Sequence, residues 1–303
     1  MAAPYVLHML TPLKHVSAFD VNMAADAGMT TLFPYTGVAP DEVAGITQDA
    51  MFSRDPANAA RTGLFIGGRD ALAALDMMEA ARKAMFPPFI ISVLVDPSGA
   101  FTTAGAMVAV VERALRRSRP DGIRGDGIKG LAVQVYGATG VVGGTAAVIA
   151  ALAGGRVTLV SHRGLSGVEP KAAEFRRRFA VELACADARD DAAKERLLAD
   201  AEVVFACGRA GMQILSTRNL AAAGRLLAAA DINAVPPSGI EGIAAKDDGA
   251  TLPGGRCVGI GALAIGNVKF RVQHALLKRL TEADKAECLD LRDAYDAARR
   301  IAG

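Results

Sequence analysis

A glycine-rich turn between two apolar segments constrains the fold of this chain more than any other feature. It lies in the stretch 130–163, which reads GLAVQVYGATGVVGGTAAVIAALAGGRVTLVSHR. The apolar run 131–136 predicts a strand, the alanine-rich run after the glycines predicts a helix, and the run 157–160 predicts a second strand. Strand, glycine turn, helix and strand in this order are typical of a βαβ unit.

The glycines of this turn are Gly137, Gly140 and Gly143. A phosphate can approach a backbone that carries no Cβ, and the helix start near Val141 offers unpaired N–H groups and the positive end of the helix dipole. The turn therefore predicts a dinucleotide site. Ala138 stands where the commonest fingerprint has its second glycine, and its methyl group is expected to alter the phosphate path slightly. A glycine turn with a purely structural role is the alternative.

The end of the second strand indicates which dinucleotide is bound. NAD enzymes place an acid roughly 20 residues past the glycines, where it accepts hydrogen bonds from the ribose 2′-OH. This chain has Ser161-His162-Arg163 at that point. No acid repels a 2′-phosphate there, and Arg163 with the Ser161 hydroxyl is suited to bind one, so NADP is the expected cofactor. NAD stays open, because a missing acid removes a bond without adding a clash.

Length and composition limit the class of protein. The chain has 303 residues, enough for two domains, with 51% hydrophobic residues and a net charge of +2. This charge is too balanced to indicate a nucleic-acid or anionic-membrane partner. The four cysteines are far apart and have no histidine at a ligand spacing, so neither a disulfide framework nor a metal site is expected. No secretory segment or membrane span is recognisable, and we expect a cytoplasmic enzyme.

The sequence before the glycine turn alternates short apolar runs with amphipathic segments. Such alternation predicts a parallel sheet covered by helices, here in an N-terminal α/β domain. The predicted strands are 5–10, 30–35, 63–66 and 89–95, and a predicted helix from 70 to 86 separates the last two.

The sequence after the turn continues the alternation, so the fold class is α/β with two domains and a parallel sheet in the second. The predicted strands here are 181–185, 203–206, 226–232 and 256–263, and the predicted helices are 170–179, 190–199, 268–280 and 282–301. The polar stretch 116–130 is the expected linker. The expected domains are an N-terminal substrate-binding domain at 1–118, a Rossmann-type NAD(P)-binding domain at 126–268, and C-terminal helices at 269–303 that pack on the first domain or on a neighbouring subunit.

Polar residues that follow strands are candidates for the walls of a site. Thr102 and Thr103 follow the strand at 89–95, and ligands of parallel sheets bind at the carboxyl ends of strands. Either threonine is equally suited to be the N-cap of the next helix. Cys207 and Gly208 open a second glycine loop after a later strand, where we expect the nicotinamide ribose.

Four strings follow one another along the chain. They are Thr102-Thr103-Ala104, Ala138-Thr139-Gly140-Val141-Val142-Gly143, Asp231-Ile232-Asn233-Ala234-Val235-Pro236-Pro237 and Gly261-Ala262-Leu263-Ala264-Ile265-Gly266. Together they resemble the NAD(P)-dependent methylene-tetrahydromethanopterin dehydrogenases of bacterial one-carbon oxidation. The resemblance extends from Phe19-Asp20 to Lys269, and the combination of strings is what makes it specific.

The resemblance implies hydride transfer from methylene-tetrahydromethanopterin to NADP or NAD, giving the methenyl cation in the oxidation of formaldehyde. It implies a pterin site between the two domains, with Asp20 and Lys269 catalytic and with Phe19, Thr102 and Thr103 in contact with the substrate. A homo-oligomer is expected. The implied cofactor-binding residues are Ala138, Thr139, Gly140, Val141, Val142, Ser161, His162, Arg163, Cys207, Gly208 and Asn233.

The chemistry of that reaction agrees with what the sequence lacks. Oxidising a carbon between two nitrogens yields an amidinium-like cation directly, so no general base is needed, and neither a Tyr-x-x-x-Lys pair nor a Ser-His-Asp triad is evident. Asp20 is suited to stabilise the cation, or to act with Ser17 as the acid of a capping box. Lys269 engages a pterin carbonyl or carboxylate, or is a surface lysine at the start of a helix.

Two other functions stay open at this point. One is an enzyme of similar plan acting on methylene-tetrahydrofolate or a shikimate-like hydroxy acid, and the other is a dinucleotide-sensing regulator without turnover. A hydroxy-acid dehydrogenase needs a Lys-Asp pair in its N-terminal domain, and Lys14 and Lys83 have no evident partner. A regulator usually carries a module for DNA or a partner, and no segment of the sequence is left over for one.

Overall fold

The computed structural model describes residues 3–118, 127–255 and 257–303. The chain forms two compact units, each assembled from two pieces of sequence. The first unit comprises Met1–Thr102 and Phe270–Ala297, and the second comprises Thr103–Lys269 and Ala298–Gly303. The domain bounds expected from the sequence, 1–118, 126–268 and 269–303, stay a prediction.

The first part of the chain alternates strands and helices, as expected. Its strands are short, and two of its helices follow residues whose side chains accept hydrogen bonds from free N–H groups, Ser17 and Asp70. The elements are β1 (Val6–Thr11), α1 (Ala18–Asp26), β2 (Thr31–Thr36), α2 (Val43–Phe52), β3 (Thr62–Ile66), α3 (Ala71–Ala84), β4 (Ser92–Val95) and α4 (Ala100–Ser118).

The rest of the chain continues this alternation and closes with two helices. The elements are β5 (Ala132–Tyr136), α5 (Val141–Leu152), β6 (Arg156–Ser161), α6 (Glu169–Phe179), β7 (Leu183–Asp187), α7 (Asp191–Leu198), β8 (Val203–Ala206), α8 (Thr217–Ala221), β9 (Ala228–Asp231), β10 (Asp248–Thr251), β11 (Val258–Ile260), α9 (Ala262–Glu282), β12 (Cys288–Leu289) and α10 (Leu291–Ala302). The predicted α/β class with a Rossmann-type second half is confirmed.

The first unit contains a five-stranded sheet in the order β12-β4-β3-β1-β2. All its neighbouring strands are parallel, so their carboxyl ends lie at one edge. The chain moves outward from β1 to β2 on one side and from β3 to β4 on the other. The gap between the ends of β1 and β3 is therefore the topological switch point, where open parallel sheets bind ligands.

The second unit contains a seven-stranded sheet in the order β10-β11-β9-β8-β5-β6-β7. Only β10 runs antiparallel to its neighbour. The strand order changes direction between β5 and β8, which makes their carboxyl ends the second switch point. Helix α5 follows β5 directly, and the run Gly143 to Ala150 within it is entirely buried. This burial explains why the helix is hydrophobic on every side.

The start of α4 differs from the prediction. The helix begins at Ala100, so Thr102 and Thr103 lie in its first turn and neither is the N-cap. The side chain of Asp96, four residues before the helix, caps its start instead, because its Oδ1 accepts hydrogen bonds from the backbone N–H of Phe101 at 2.9 Å and of Thr102 at 3.2 Å. An acid at a helix start accepts hydrogen bonds from the free N–H groups, and its negative charge is stabilised by the positive end of the helix dipole. Asp96 is therefore a stronger cap than either threonine.

The C-terminal region also differs. The predicted strand 256–263 is limited to β11, and α9 begins at Ala262, so Lys269 lies two turns inside a helix of 21 residues and not at its start. A two-residue strand, β12, separates α9 from α10 and pairs with β4. Two residues are too few to produce a periodic signal, so the sequence predicted continuous helix there. The central part of the predicted linker, 119–126, lies outside the described residues.

Candidate active site

The glycine turn of the second unit is shaped by contact between backbones. Gly137 has φ of 78°, a left-handed conformation that side chains rarely adopt. A Cβ at Gly137 would collide with the carbonyl oxygen of Cys207, at the end of the neighbouring strand β8. The first glycine of the turn is therefore required by the fold itself. For this glycine the structural explanation is sufficient.

The next part of the turn is open to solvent. Thr139 and Gly140 are exposed, and Val141 and Val142 are half-buried. Gly140 is the N-cap of α5, has φ of −73°, and supplies no side-chain cap to the N–H groups of the first helical turn. A Cβ at Gly140 would come no closer than 3.2 Å to the Gly137 oxygen. That contact is tight but less severe than the collision at Gly137, and a side chain at Gly140 would also occupy the space in which an anion could rest on the helix start.

Ala138 is buried within the turn. It is 1% exposed, so its methyl group is enclosed by the protein and does not occupy the open side of the turn. Its expected effect on the phosphate path stays a prediction. Gly144, further along, is needed for helix packing, because a Cβ there would lie 2.9 Å from the ring of Phe175 on α6.

The predicted 2′-phosphate residues lie together after β6. Ser161 is buried, and its Oγ accepts a hydrogen bond from the backbone N–H of Arg163 at 3.2 Å. The side chains of His162 and Arg163 are exposed, and Nε of Arg163 donates to Nε2 of His162 at 3.2 Å. The serine thus shapes the loop, and the histidine and arginine present their side chains to solvent.

The loop after β8 begins with Cys207 and Gly208. Cys207 is buried, with its Sγ 3.9 Å from Sδ of Met107, so only its backbone can face a cofactor. Burial also raises the pKa of the Cys207 thiol, which keeps it protonated and unreactive. Gly208 is half-buried, and a Cβ there would crowd Ile214.

Asn233 secures this loop from the other side. Its Oδ1 accepts from the N–H of Gly211 at 3.1 Å and of Val235 at 2.9 Å, and its Nδ2 donates to the Pro237 oxygen at 2.8 Å. These bonds leave one N–H of the amide for a ligand. Asn233 therefore acts first as a clamp between two loops at the carboxyl edge of the sheet.

Asp231 fixes the loop that carries Asn233, a role that was not predicted from the sequence. Its carboxylate accepts from the N–H of Asn233 at 2.9 Å and of Ile240 at 3.0 Å. Burial raises the pKa of Asp231, and these backbone donors act in the opposite direction. Its position at the end of a buried strand was the signal that could have identified it.

Lys171 is a further residue that the sequence did not indicate. It lies in the first turn of α6, and its Nζ donates to the Thr139 oxygen at 2.8 Å. This contact brings a positive charge to the exposed part of the glycine turn. An ammonium group beside free helix N–H groups is favourable for a bound pyrophosphate.

The first unit has a cavity of about 230 Å³ at its own switch point. Most of its walls are the carboxyl ends of β1 and β3 and the loops that follow them, with Ser98 after β4. The polar side chains in these walls include Asp20 and Arg69. Ser98 has φ of 54°, and its hydroxyl donates to the Gly68 oxygen at 2.7 Å, which offsets part of the strain of that conformation.

Asp20 is the buried acid of this cavity. It is 4% exposed, and its Oδ1 accepts a hydrogen bond from Nε2 of Gln273 at 2.6 Å. Gln273 lies on α9 and is fully buried. The backbone N–H of Asp20 donates to Oγ of Ser17, which caps α1. The Asp20 carboxyl group thus lies in the wall of the cavity with its orientation fixed by Gln273, where it can face a ligand.

The other predicted substrate residues have different surroundings. Phe19 is 47% exposed and forms an edge-to-face pair with Phe270, at 6.4 Å between ring centroids. Thr102 is fully buried, and its Oγ1 donates to Oδ2 of Asp96 at 2.7 Å, so its side chain is not available to a substrate in this structure. Thr103 and Lys269 are half-buried members of the second unit.

A profile of the family described as "Methylene-tetrahydromethanopterin dehydrogenase, N-terminal" matches residues 18–98. The chain is also 48% identical over 299 residues to the NAD(P)-dependent methylenetetrahydromethanopterin dehydrogenase of Methylorubrum extorquens, a match that covers 98% of this chain and 99% of that protein. The chain belongs to the methylene-tetrahydromethanopterin dehydrogenase family. The resemblance noted in the sequence is therefore confirmed.

Two further comparisons are consistent with this family and fold. Another Methylorubrum extorquens protein, named Bifunctional protein MdtA, is 32% identical over 286 residues, covering 94% of this chain and 95% of that protein. Among solved structures, shikimate 5-dehydrogenase from Listeria monocytogenes has a TM-score of 0.50 and 13% identity, with 91% of each chain covered. At that identity the likeness concerns the fold alone.

The second unit has several features that suit a dinucleotide. At Gly140 the backbone of the turn is exposed and carries no side chain, and the helix that starts there has no side-chain cap. Two exposed basic residues follow β6. These groups suit a pyrophosphate and a phosphorylated ribose. The residues suited to hold NADP or NAD are thus Thr139, Gly140, Val141, Val142, His162 and Arg163.

Asp20, the buried acid of the first unit, lies beside residues of α9 that the sequence did not indicate. Phe270 and Gln273 are three residues apart on α9, so they share one face, and both contact α1 residues, Phe19 and Asp20 respectively. The pairs are separated by some 250 positions in the sequence. A three-residue spacing on a helix is common, and it carried no signal until the fold brought the helices together.

Within the part of the chain that the structure describes, no helix is long and apolar enough to cross a membrane. No group of three or more His, Cys, Asp or Glu side chains among those residues is arranged to hold a metal ion. The four cysteines, Cys185, Cys207, Cys257 and Cys288, are free. The polar residues of the two switch points remain the best candidates for chemistry.

Proposed function

We propose that this chain is an NAD(P)-dependent methylene-tetrahydromethanopterin dehydrogenase. It transfers a hydride from the methylene carbon of its pterin substrate to the nicotinamide of NADP or NAD, and the product is the methenyl cation. The observation that carries the proposal is the 48% identity to a dehydrogenase of that name over 98% of this chain. No observation favours a methylene-tetrahydrofolate substrate or a regulator without turnover.

The reaction makes a limited demand on the protein. The C–H bond of the methylene group breaks, both of its electrons leave with the hydride, and the positive charge spreads over the carbon and its two nitrogens. No proton is released at the reacting carbon, so no general base is required. The protein has to align donor and acceptor and to provide a field that favours the cation.

Asp20 is suited to provide that field. Its carboxylate lines the cavity of the first unit, is shielded from bulk water, and is oriented by Gln273 at 2.6 Å. A negative charge acts more strongly on a nascent cation when little water surrounds it. We propose that Asp20 lowers the energy of the transition state electrostatically, without accepting a proton.

Aromatic side chains are proposed to bind the flat pterin. Phe19 and Phe270 expose 47% and 48% of their surfaces and lie edge to face. Such a pair offers both an apolar face and a polarised edge to a heterocycle. We assign Lys269 to the pterin carbonyl or a substrate carboxylate and leave Thr103 as a second contact. Thr102 acts indirectly, through its bond to Asp96.

The dinucleotide supplies the hydride acceptor when bound. The chain's own part is to hold the pyrophosphate at Gly140 and at the first turn of α5, with Lys171 nearby. We propose that His162 and Arg163 bind the 2′-phosphate of NADP. The backbone of Cys207 and Gly208, held by Asn233, lines the nicotinamide ribose.

Reduction of NADP in the presence of each methylene pterin tests the proposal. The purified chain should form NADPH with methylene-tetrahydromethanopterin, at a higher kcat/KM than with methylene-tetrahydrofolate. Arg177→Ala changes an exposed arginine that is paired with Glu174 and lies outside the proposed sites, so this control variant should behave as wild type. Absence of NADPH and NADH with the methanopterin substrate, or a preference for the folate, would overturn the proposal.

A homo-oligomer and a cytoplasmic location complete the proposal. The oligomer would use surface of either unit, including the C-terminal helix α10. Light scattering of the purified chain at several concentrations should give a mass above that of one chain, 31.3 kDa. A mass equal to one chain at all concentrations would remove this part and leave the proposed reaction intact.

A further inference from the structure

Two neighbouring strands of the second unit end in the same way. Ser161 at the end of β6 pairs in register with Asp187 at the end of β7, and the N–H of Ala188 donates to the Ser161 oxygen at 2.7 Å. Two residues further along each strand stands an arginine, Arg163 after the first and Arg189 after the second. Adjacent strands are roughly 4.8 Å apart, so the two arginines begin from neighbouring points of one edge.

Arg189 is directed back towards the loop that carries Arg163. A Cβ at Gly164, the residue after Arg163, would collide with the guanidinium of Arg189. Gly164 has φ of 90°, a conformation that glycine adopts freely and other residues rarely do. The guanidinium therefore lies next to the loop in which the 2′-phosphate site is expected.

Asp187 holds Arg189 in this position. Its Oδ2 is 2.8 Å from Nε of Arg189. The side chain of Arg189 is 65% exposed, and an ion pair in such a setting adds little to stability. Bonding through Nε leaves the outer Nη groups of the guanidinium for another acceptor, and a phosphate is the acceptor that this planar fork fits best.

We propose that Arg189 is a second residue for recognition of the 2′-phosphate of NADP, and that Asp187 positions it. The inference rests on the proposed function, since it concerns the cofactor of that reaction. The phosphate lies between the guanidinium groups of Arg163 and Arg189, each donating to its oxygens. The arrangement places two cations on one dianion, and Asp187 is paired with one of them.

Calorimetric titration with 2′,5′-ADP and with 5′-AMP tests this proposal without turnover. The two ligands differ only in the 2′-phosphate. Arg189→Ala should weaken 2′,5′-ADP by roughly tenfold or more, the effect of one lost charge-assisted bond, and should change 5′-AMP less than about twofold. Arg189→Lys should restore part of the loss. Asp187→Asn should weaken 2′,5′-ADP less than Arg189→Ala does, because the guanidinium remains.

Arg177→Ala is the matched control, since Arg177 is also exposed and paired with an acid but lies in the last turn of α6. Equal losses for both nucleotides, or no loss for either, would overturn the role of Arg189. The proposed reaction fails separately: a chain that distinguishes the nucleotides through Arg189 but oxidises no methylene pterin keeps this inference and loses the proposed function.

Discussion

The two units place their candidate sites at the same point of a parallel sheet but build them from different material. The first unit surrounds a cavity of about 230 Å³ with side chains, among them Asp20 and Arg69. The second offers an exposed turn of backbone, with Thr139 and Gly140 open to solvent. A site made of side chains can be altered one group at a time. A site made of backbone depends on residues that have no side chain to alter.

This difference also decides how visible each site is in a sequence. A backbone that must approach a phosphate requires glycines at set spacings, and those glycines lie close together in the sequence. The cavity of the first unit takes its walls from segments near positions 10, 20, 67 and 98. None of these segments has an unusual composition, and only the strand order brings them together.

The largest effect should separate the two glycines of the turn. Gly137→Ala forces a methyl group onto the backbone of Cys207 at a left-handed φ, which should destabilise the fold by roughly 3 kcal/mol or more. Gly140→Val should lower the unfolding temperature less than Gly137→Ala does, because its Cβ contact with the Gly137 oxygen is 3.2 Å, and should abolish cofactor binding. Thermal unfolding and calorimetry of both variants test this. Normal cofactor affinity in Gly140→Val would show that the turn is structural throughout.

The next effect concerns charge in the first unit. Asp20→Asn keeps an oxygen that can accept from Gln273 and removes the negative charge. We expect kcat to fall roughly a hundredfold, as for loss of a preorganised group that stabilises transition-state charge, while NADP affinity is unchanged. Steady-state kinetics with methylene-tetrahydromethanopterin measure it. A wild-type kcat would leave Asp20 with only its part in α1.

Arg163→Ala should distinguish the cofactors. Its guanidinium is exposed beside His162, and a charge-assisted bond to phosphate contributes roughly 1.5–3 kcal/mol, or about ten- to a hundredfold in affinity. Dissociation constants of NADP and NAD for the variant should show the loss for NADP alone. Equal losses for both cofactors would contradict phosphate recognition by this loop.

Gln273→Leu tests whether the acid of the cavity needs its partner. The variant keeps the volume of the side chain and removes the N–H that binds Asp20. The expected loss is roughly tenfold in kcat/KM for the pterin, with NADP affinity unchanged. Gln48→Leu, at an exposed position of α2 in the same unit, is the matched control. If the variant is less stable but its folded fraction has wild-type kcat/KM, Gln273 is structural only.

The smallest effect is expected for Lys269→Ala. A lysine that orients the pterin should, when removed, change KM or kcat by roughly threefold to tenfold and leave NADP affinity near wild type. A change in KM alone indicates binding shared by ground and transition states, and a change in kcat indicates a contact specific to hydride transfer. Kinetics identical to those of wild type would exclude Lys269 from the substrate site.

Several sequence predictions correspond closely to the structure because the interactions behind them are local. The βαβ unit around the glycine turn has β5, α5 and β6 where the apolar runs and glycines predicted them. Strand and helix periods differ, and a turn with positive φ at Gly137 selects glycine. The family resemblance drew on the same contiguous strings.

The predictions that differ from the structure concern where elements begin and end. Asp96 caps the start of α4, so Thr102 lies inside that helix, and α9 starts at Ala262, so Lys269 lies inside that one. The strand β12 consists of two residues and exists through its pairing with β4. For β12 a contact between distant elements decided the local structure, and for the two helix starts the sequence pattern alone was ambiguous.

The sequence by itself determined the α/β class, the dinucleotide turn and the family, since each is written in contiguous residues whose spacing reflects backbone geometry. Only the tertiary structure decided which side chains share a site. It joined Gln273 to Asp20 across 253 positions and set Arg189 against the loop of Arg163. The physical reason is that hydrogen bonds and ion pairs form between groups close in space, and strand order, which no local pattern records, determines which groups those are.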